Sequence, residues 1–379
     1  MAPAVLKPAM GPRPISPPAL AAAALGALIL AAAAWGAPRG SAAQPASDPP
    51  LTTRQVVGQH VIYAYSGLRP PVALERRIRR GEAAGVILFN RNIRSRAQLR
   101  TQLVRLQAIP RPAGLRSPLL VMIDQEGGFV KRLSGAPQRS PAQLGRTGSA
   151  SLARSEGAAT AANLHGVGIN VDLAPVLDVA RPGSYQERFE RSYGRDPSLV
   201  SRLGTAFAGG LRAGGVAATA KHFPGIGVPR VNEDTVASRV GLPLDTLRRI
   251  DEAPFVAAVR GRIDLVMLST AIYPAFDSLP ALYSRKLGTD ELRGRLGFAG
   301  VAITDDLETA SAAGYGTPQR RALLATRAGA DLLLFAQSYA NGARATEALI
   351  RDARAGWVSG LELRRSTARV LALRRSLAG

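Results

Sequence analysis

Five short stretches carry the residues able to do chemistry. Residues 301–307 read VAITDDL, an apolar run that stops at two adjacent aspartates, Asp305 and Asp306. With no cysteine in the chain and no nucleophile-elbow serine in view, a carboxylate is the best nucleophile available, and Asp305 stands first for that task. Paired aspartates also suit a hard cation, and Asp306 stands where a side chain caps a following helix. In IDQEGGFVKRL, residues 123–133, Asp124 ends a second apolar run and Gly127-Gly128 permits a tight turn behind it. Asp124 can accept paired hydrogen bonds from neighbouring hydroxyl groups, and Arg132 can pair with it or with a substrate. ERSYGRDP, residues 190–197, sets Arg191 and Arg195 before a proline, and a guanidinium offers a planar fork of donors. ATAKHFPGIGVPRVNEDTV, residues 218–236, joins Lys221-His222 at a strand end to a loop with two carboxylates, Glu233 and Asp234. GVILFNRNI, residues 85–93, ends in Asn90-Arg91-Asn92.

These groups need a frame that brings strand ends together. Beyond Leu51, short apolar runs recur at VVGQHVIYAYSG, GVILFNRNI, PLLVMIDQEGG, INVDLAPVLDV, VAATAKHFPG, DLVMLSTAIYP, GVAITDDL and ADLLLFAQS. That makes eight candidate strands, mostly apolar throughout, as strands covered on both faces are. Amphipathic segments such as SRAQLRTQLVRLQ and SLVSRLGTAFAGGLRAG lie between them. Alternation of this kind predicts a parallel α/β fold, and eight units favour a closed (β/α)8 TIM-type barrel in one catalytic domain. A doubly wound open sheet would carry a Gly-rich phosphate loop after its first strand, and none is present. The polar residues sit at the C-terminal ends of the runs, together with Asp178 and Ser269-Thr270. In a barrel these ends meet on one face.

Composition narrows the classes. The chain has 379 residues, 46% hydrophobic and 20% charged, enough for one large domain or two ordinary ones. Without cysteine there is neither a disulfide framework nor a thiolate metal site, and three histidines do not make a His-rich centre. The formal net charge of +22 comes mostly from scattered arginines. They read as solvated helix faces, with some attraction to anionic wall polymers or lipid headgroups. No nucleic-acid reading motif accompanies them, so no nucleic-acid partner is expected. Lys7 and Arg13 precede the apolar run Ala19–Ala37, and a Gly/Ala/Pro/Ser stretch follows to Pro50. This predicts a signal peptide or membrane anchor plus linker over 1–50, with 19–37 as a possible tether. The domain over 51–379 is then secreted or extracytoplasmic, and a monomer is expected.

The motifs GVILFNRNI, IDQEGGFVKRL, ERSYGRDP, AKHFPG and ITDDL, in this order and spacing, resemble the N-terminal barrel domain of glycoside hydrolase family 3. Among its members the chain is most similar to single-domain bacterial β-N-acetylhexosaminidases. The resemblance implies a retaining exo-glycosidase acting on terminal non-reducing β-linked N-acetylglucosamine, as in peptidoglycan fragments or chitooligosaccharides, with no metal and no cofactor. It implies that Asp305 is the nucleophile forming a covalent glycosyl-enzyme. It implies that Asp124, Arg191, Lys221 and His222 hold hydroxyls of the sugar, and that Met267 and Ser269 line the N-acetyl pocket.

The chain departs from that pattern in one place. The family continues KHFPG with Gly-His-Gly and then supplies an Asp-His pair as acid/base from the loop. Here the triplet is Gly225-Ile226-Gly227, and the loop VPRVNEDTVASRV has no histidine. His60 and His165 lie elsewhere. Three readings follow. Asp234 or Glu233 replaces the imidazole, since burial can raise a carboxyl enough to serve as the acid. Alternatively activity is restricted to good leaving groups, or the protein is a glycan-binding relative without turnover. A β-glucosidase is a further alternative, though members of that kind draw their acid from a second domain, for which no room follows the barrel.

Overall fold

The computed structural model describes residues 50–378. The expected signal or anchor and the possible tether at 19–37 lie outside the described residues. Among the described residues no helix is long and apolar enough to cross a membrane.

Ten strands form. They are β1 Val61–Tyr63, β2 Gly85–Leu88, β3 Leu120–Ile123, β4 Gln125–Gly127, β5 Val130–Lys131, β6 Val171–Asp172, β7 Ala217–Phe223, β8 Leu265–Leu268, β9 Val301–Thr304 and β10 Leu333–Phe335. Eight of them make one parallel sheet in the order β10-β1-β2-β3-β6-β7-β8-β9. A parallel bridge between Ile303 and Leu332, and the bond from Thr304 N–H to Leu332 O at 2.9 Å, join the two outer strands. The sheet closes as the eight expected units require. β4 and β5 form a separate antiparallel hairpin on the C-terminal face.

Alternation along the strands separates two apolar layers. Ile62, Ile87, Met122, Met267, Ile303 and Leu334 fill the barrel interior. Tyr63, Val86, Val121, Val266, Ala302 and Leu333 point outward and pack under the helices. The helix Gly360–Ser376 sends Val370 and Leu373 to the inner layer. Its Arg374 reaches the carbonyls of Pro118 (2.8 Å), Ser117 (2.6 Å) and Leu115 (3.1 Å) just before β3. That helix therefore closes the N-terminal floor of the barrel, opposite the polar strand ends.

Two expected strands are shorter than their apolar runs. In VVGQHVIYAYSG the first residues belong to helix Thr53–Gly58, which Thr52 and Gln55 start with a reciprocal capping box. Only Val61–Tyr63 is strand. In INVDLAPVLDV the strand stops at Asp172, because Pro175 has no N–H to give to a ladder. Val176 regains a single bridge to Lys221.

Candidate active site

The polar strand ends surround a cavity of about 510 Å³ at the C-terminal mouth. β3 delivers Asp124, and the β4–β5 hairpin delivers Glu126 and Arg132. Gln125 holds that hairpin in shape: its Oε1 accepts from Arg132 N (3.1 Å) and Leu133 N (3.0 Å), and its Nε2 donates to Leu133 O (2.6 Å). Gly127 and Gly128 take φ of 100° and 59°, which a side chain rarely tolerates.

β7 delivers Lys221 and His222 in succession. Neighbours on a regular strand face opposite ways, yet both line the cavity. The pairing of β7 with β8 slips between Ala220 and Phe223, and such an irregularity re-aims side chains. Lys221 Nζ lies 2.8 Å from both Asp124 Oδ1 and Glu126 Oε1. Arg191 closes the chain of charges with two bonds to Glu126, at 2.9 and 2.7 Å. Burial works against every charge here, but the partners outweigh it. Asp124 and Glu126 are held below the ordinary carboxylate range, and Lys221 and Arg191 above their usual values. All four stay ionised, a fixed comb of donors and acceptors. Arg132 adds a longer contact to Asp124 at 3.7 Å.

His222 is locked from behind. Asp178 accepts its backbone N–H (3.1 Å) and faces Nδ1 at 2.8 Å, and also accepts from Ile226 N (2.9 Å). Nε2 is left for the cavity. Burial disfavours the protonated ring, but Asp178 and Asp305 outweigh it and raise its pKa. Ile226, the middle residue of the Gly225-Ile226-Gly227 triplet, is buried and apolar and contributes only its backbone donor. Gly227 passes so close to Val179 O that an added Cβ would lie 1.7 Å from it.

Asp305 follows β9 and opens into the cavity. Its Oδ1 accepts from Asp306 N at 2.8 Å. Asp306 turns to structure: it accepts from Glu308 N (2.9 Å), Ala336 N (3.1 Å) and Gln337 Nε2 (3.2 Å). The loop after β7 folds back over this side. Its Asp234 carbonyl accepts from Ala310 N at 3.0 Å, and its Glu233 carbonyl accepts from Ser311 Oγ. A turn at Asn232, which accepts from Thr235 N and Val236 N at 3.1 Å, separates the two carboxylates. Glu233 is 2% exposed and Asp234 is exposed. One ligating atom each of His222, Glu233 and Asp305 lie within 4.8 Å of one another. One imidazole and two carboxylates could hold a divalent cation, and this is the one such group among the described residues. Burial raises the Glu233 and Asp305 carboxyls and His222 pulls both down; Asp234 raises both, and Glu233 raises Asp305 as well.

Of the residues expected from sequence, Asp124, Arg132, Arg191, Lys221, His222, Glu233, Asp234, Met267 and Asp305 line one cavity. Ser269 does not. Its Oγ accepts from Ala271 N (2.9 Å) and Tyr273 OH (3.3 Å), so it shapes the loop after β8. Arg195 pairs with Glu187 at the surface, at 2.6 Å. Sequence reasoning gave no role to Glu126 or Asp178, although both stood among its polar strand ends. It passed over Phe129, Tyr185 and Phe189, which line the mouth.

Residues 54–373 match the model of the glycosyl hydrolase family 3 N-terminal domain. The chain belongs to glycosyl hydrolase family 3. This family 3 domain is 40% identical over 333 residues to an uncharacterized secreted glycosyl hydrolase of Arthroderma benhamiae, covering 84% of this chain and 92% of that one. It is 36% identical over 277 residues to a beta-hexosaminidase of Pseudomonas aeruginosa, covering 72% and 81%. Among solved structures it superposes on a family 3 beta-N-acetylglucosaminidase from Paenibacillus sp. str. FPU-7 with a TM-score of 0.82 and 36% identity. That match covers 87% of this chain but only 64% of the Paenibacillus chain. A beta-N-acetylhexosaminidase from Beutenbergia cavernae gives a TM-score of 0.77 and 30% identity, covering 86% and 99%. The family 3 domain is thus a glycoside hydrolase whose mouth holds a charged comb, a carboxylate pair and no loop histidine.

Proposed function

We propose that this family 3 domain is a retaining exo-glycosidase that releases terminal β-linked N-acetylglucosamine, with Asp305 as nucleophile and Glu233 as acid/base. The observation that carries the reading is the approach of the Glu233 and Asp305 carboxylates to within 4.8 Å. Retaining enzymes place their two carboxyls about 5–5.5 Å apart. Asp305 attacks the anomeric carbon as Glu233 gives its proton to the departing oxygen. A covalent glycosyl-aspartate forms. Glu233, now a carboxylate, takes a proton from water, and the resulting hydroxide displaces Asp305.

Glu233 suits the acid role because burial raises its carboxyl and, among the described residues, no side chain donates it a hydrogen bond, which favours its neutral form. Burial raises the Asp305 carboxyl to about 7, and the Asp306 N–H it accepts works the other way, toward its anion. Two close carboxyls in unequal surroundings divide the work in this way. Asp234 is too exposed to share it, and serves through its backbone. Asp124, Lys221, Arg191 and His222 hold the sugar hydroxyls, and Met267 lines the floor from β8. The names of the Pseudomonas, Paenibacillus and Beutenbergia relatives support the N-acetylglucosamine assignment. The cationic and apolar start of the chain, with the secreted Arthroderma relative, supports export.

The test is sugar release from an aryl β-N-acetylglucosaminide and from N,N′-diacetylchitobiose. Asp305→Ala is expected to abolish both. Glu233→Gln should slow the disaccharide by about 100-fold or more and the activated aryl substrate far less, as loss of a general acid does. Asp234→Ala should keep most of both rates. A Glu233→Gln variant as fast as wild type on the disaccharide removes Glu233 from the mechanism.

A further inference from the structure

Three aromatic rings stand in a row at the mouth. Tyr185 and Phe189 lie 4.4 Å apart between ring centroids, and Phe189 meets Phe129 edge-on at 6.0 Å. All three line the cavity. Phe129 is 70% exposed and Phe189 38%. A single exposed ring is ordinary on a protein surface. A contiguous apolar face inside a polar cavity marks a binding surface.

The position of the row tells which part of a substrate it meets. Tyr185 begins beside the acid: its N–H donates to Pro229 O at 2.8 Å, and Arg188 reaches Arg230 O, so helix Tyr185–Arg188 is fastened to the base of the loop that carries Glu233. From there the rings run outward to Phe129, at the turn of the β4–β5 hairpin. The charged comb of Asp124, Glu126, Lys221 and Arg191 lies on the inner side. The acid stands at the bond to be broken, so rings leading outward from it flank the leaving group.

We propose that Phe129 and Phe189 form a platform for the leaving-group sugar, so that the preferred substrate carries a second pyranose ring beyond the released residue. This rests on the hydrolytic reading above. The C–H face of a pyranose packs on an aromatic face, a contact that adds specificity at an open site. Polar groups near the scissile bond are then spared the task of holding the outer sugar.

The test compares a substrate with an outer ring and one without. For N,N′-diacetylchitobiose and N-acetyl-β-glucosaminyl fluoride, the ratio of kcat/KM values is measured in wild type, Phe129→Ala and Phe129→Trp. The expected result is a ratio lowered about 10-fold in Phe129→Ala and kept in Phe129→Trp. A ratio unmoved in Phe129→Ala, or lowered equally in both variants, overturns the platform. If wild type cleaves neither compound, it is the hydrolytic reading that fails. The platform is then read by calorimetry from the affinity for chitobiose relative to N-acetylglucosamine. Phe129→Ala must lower that relative affinity, and an unchanged value overturns the proposal in that case as well.

Discussion

Glu233 and Asp305 share one pocket, and if Asp305 attacks and Glu233 assists as proposed, their protonation sets the pH dependence of turnover. Asp305 must be ionised to attack. Its burial, with Asp234 and Glu233 nearby, raises its pKa, so the acid limb of kcat/KM should lie above the ordinary carboxylate range. Glu233 must be protonated to assist, so its raised pKa sets the alkaline limb. Both limbs belong to the pair. Glu233→Gln, assayed on the aryl substrate, should lose the alkaline limb and shift the acid limb to lower pH, because a negative neighbour of Asp305 is gone. An alkaline limb that persists unmoved in this variant would contradict the assignment. At this scale Asp305, Asp124, Lys221 and His222 were legible, because each ends an apolar run. The choice between Glu233 and Asp234 was not. It depends on a turn at Asn232 and on docking against Ala310 and Ser311, contacts between distant segments that a loop sequence does not display.

At the scale of elements, the barrel mouth is built by short pieces and the floor by one long helix. The β4–β5 hairpin was hidden in a run that also supplies β3, and only its two glycines hinted at the turn. The helix Gly360–Ser376 read as an ordinary amphipathic segment, yet it carries a fully buried arginine. Burial, with Arg111 nearby, pushes the Arg374 guanidinium down to about 9, so it remains charged at neutral pH. It joins three backbone carbonyls before β3 and the Gln59 side chain. Arg374→Met keeps much of the volume and orphans those acceptors, a loss of roughly 3–5 kcal/mol. The melting temperature should fall by about 5–10 °C, as scanning calorimetry would show. A change under about 1 °C would mean that water satisfies the carbonyls instead.

For the whole molecule, eight apolar runs with helices between them were enough to give a closed barrel. The runs fixed neither their own lengths nor the seam where the first and last units meet. That seam is electrostatic as well as apolar. Glu82 receives Arg54 (3.0 Å), Arg80 (2.9 Å) and Arg77 (3.4 Å), and Arg54 and Arg77 also reach Glu347 on helix Tyr339–Arg354. Burial opposes the Glu82 charge, but Arg54 and Arg80 hold its pKa down at about 2. A depressed carboxyl contributes stability that is complete above its ordinary pKa and is lost as pH falls toward the folded value. Thermal stability should therefore fall as pH is lowered from about 4.5 to 2. Glu82→Gln should be less stable than wild type at pH 7 and show a flatter loss across that window. Parallel pH profiles for the two proteins would refute this.

The same seam has a consequence for the order in which the molecule comes together. β1 pairs with β10, Val61 opposite Leu333, and the floor is sealed by a helix still further along. A chain emerging from a ribosome or a translocation pore can pair its first strand with β2 early, but must leave the other edge of that strand open until nearly all the rest has followed. Contacts this distant in sequence make closure late and slow. For a protein read as exported, late closure leaves the barrel unsealed until its last strand has also passed through a narrow channel.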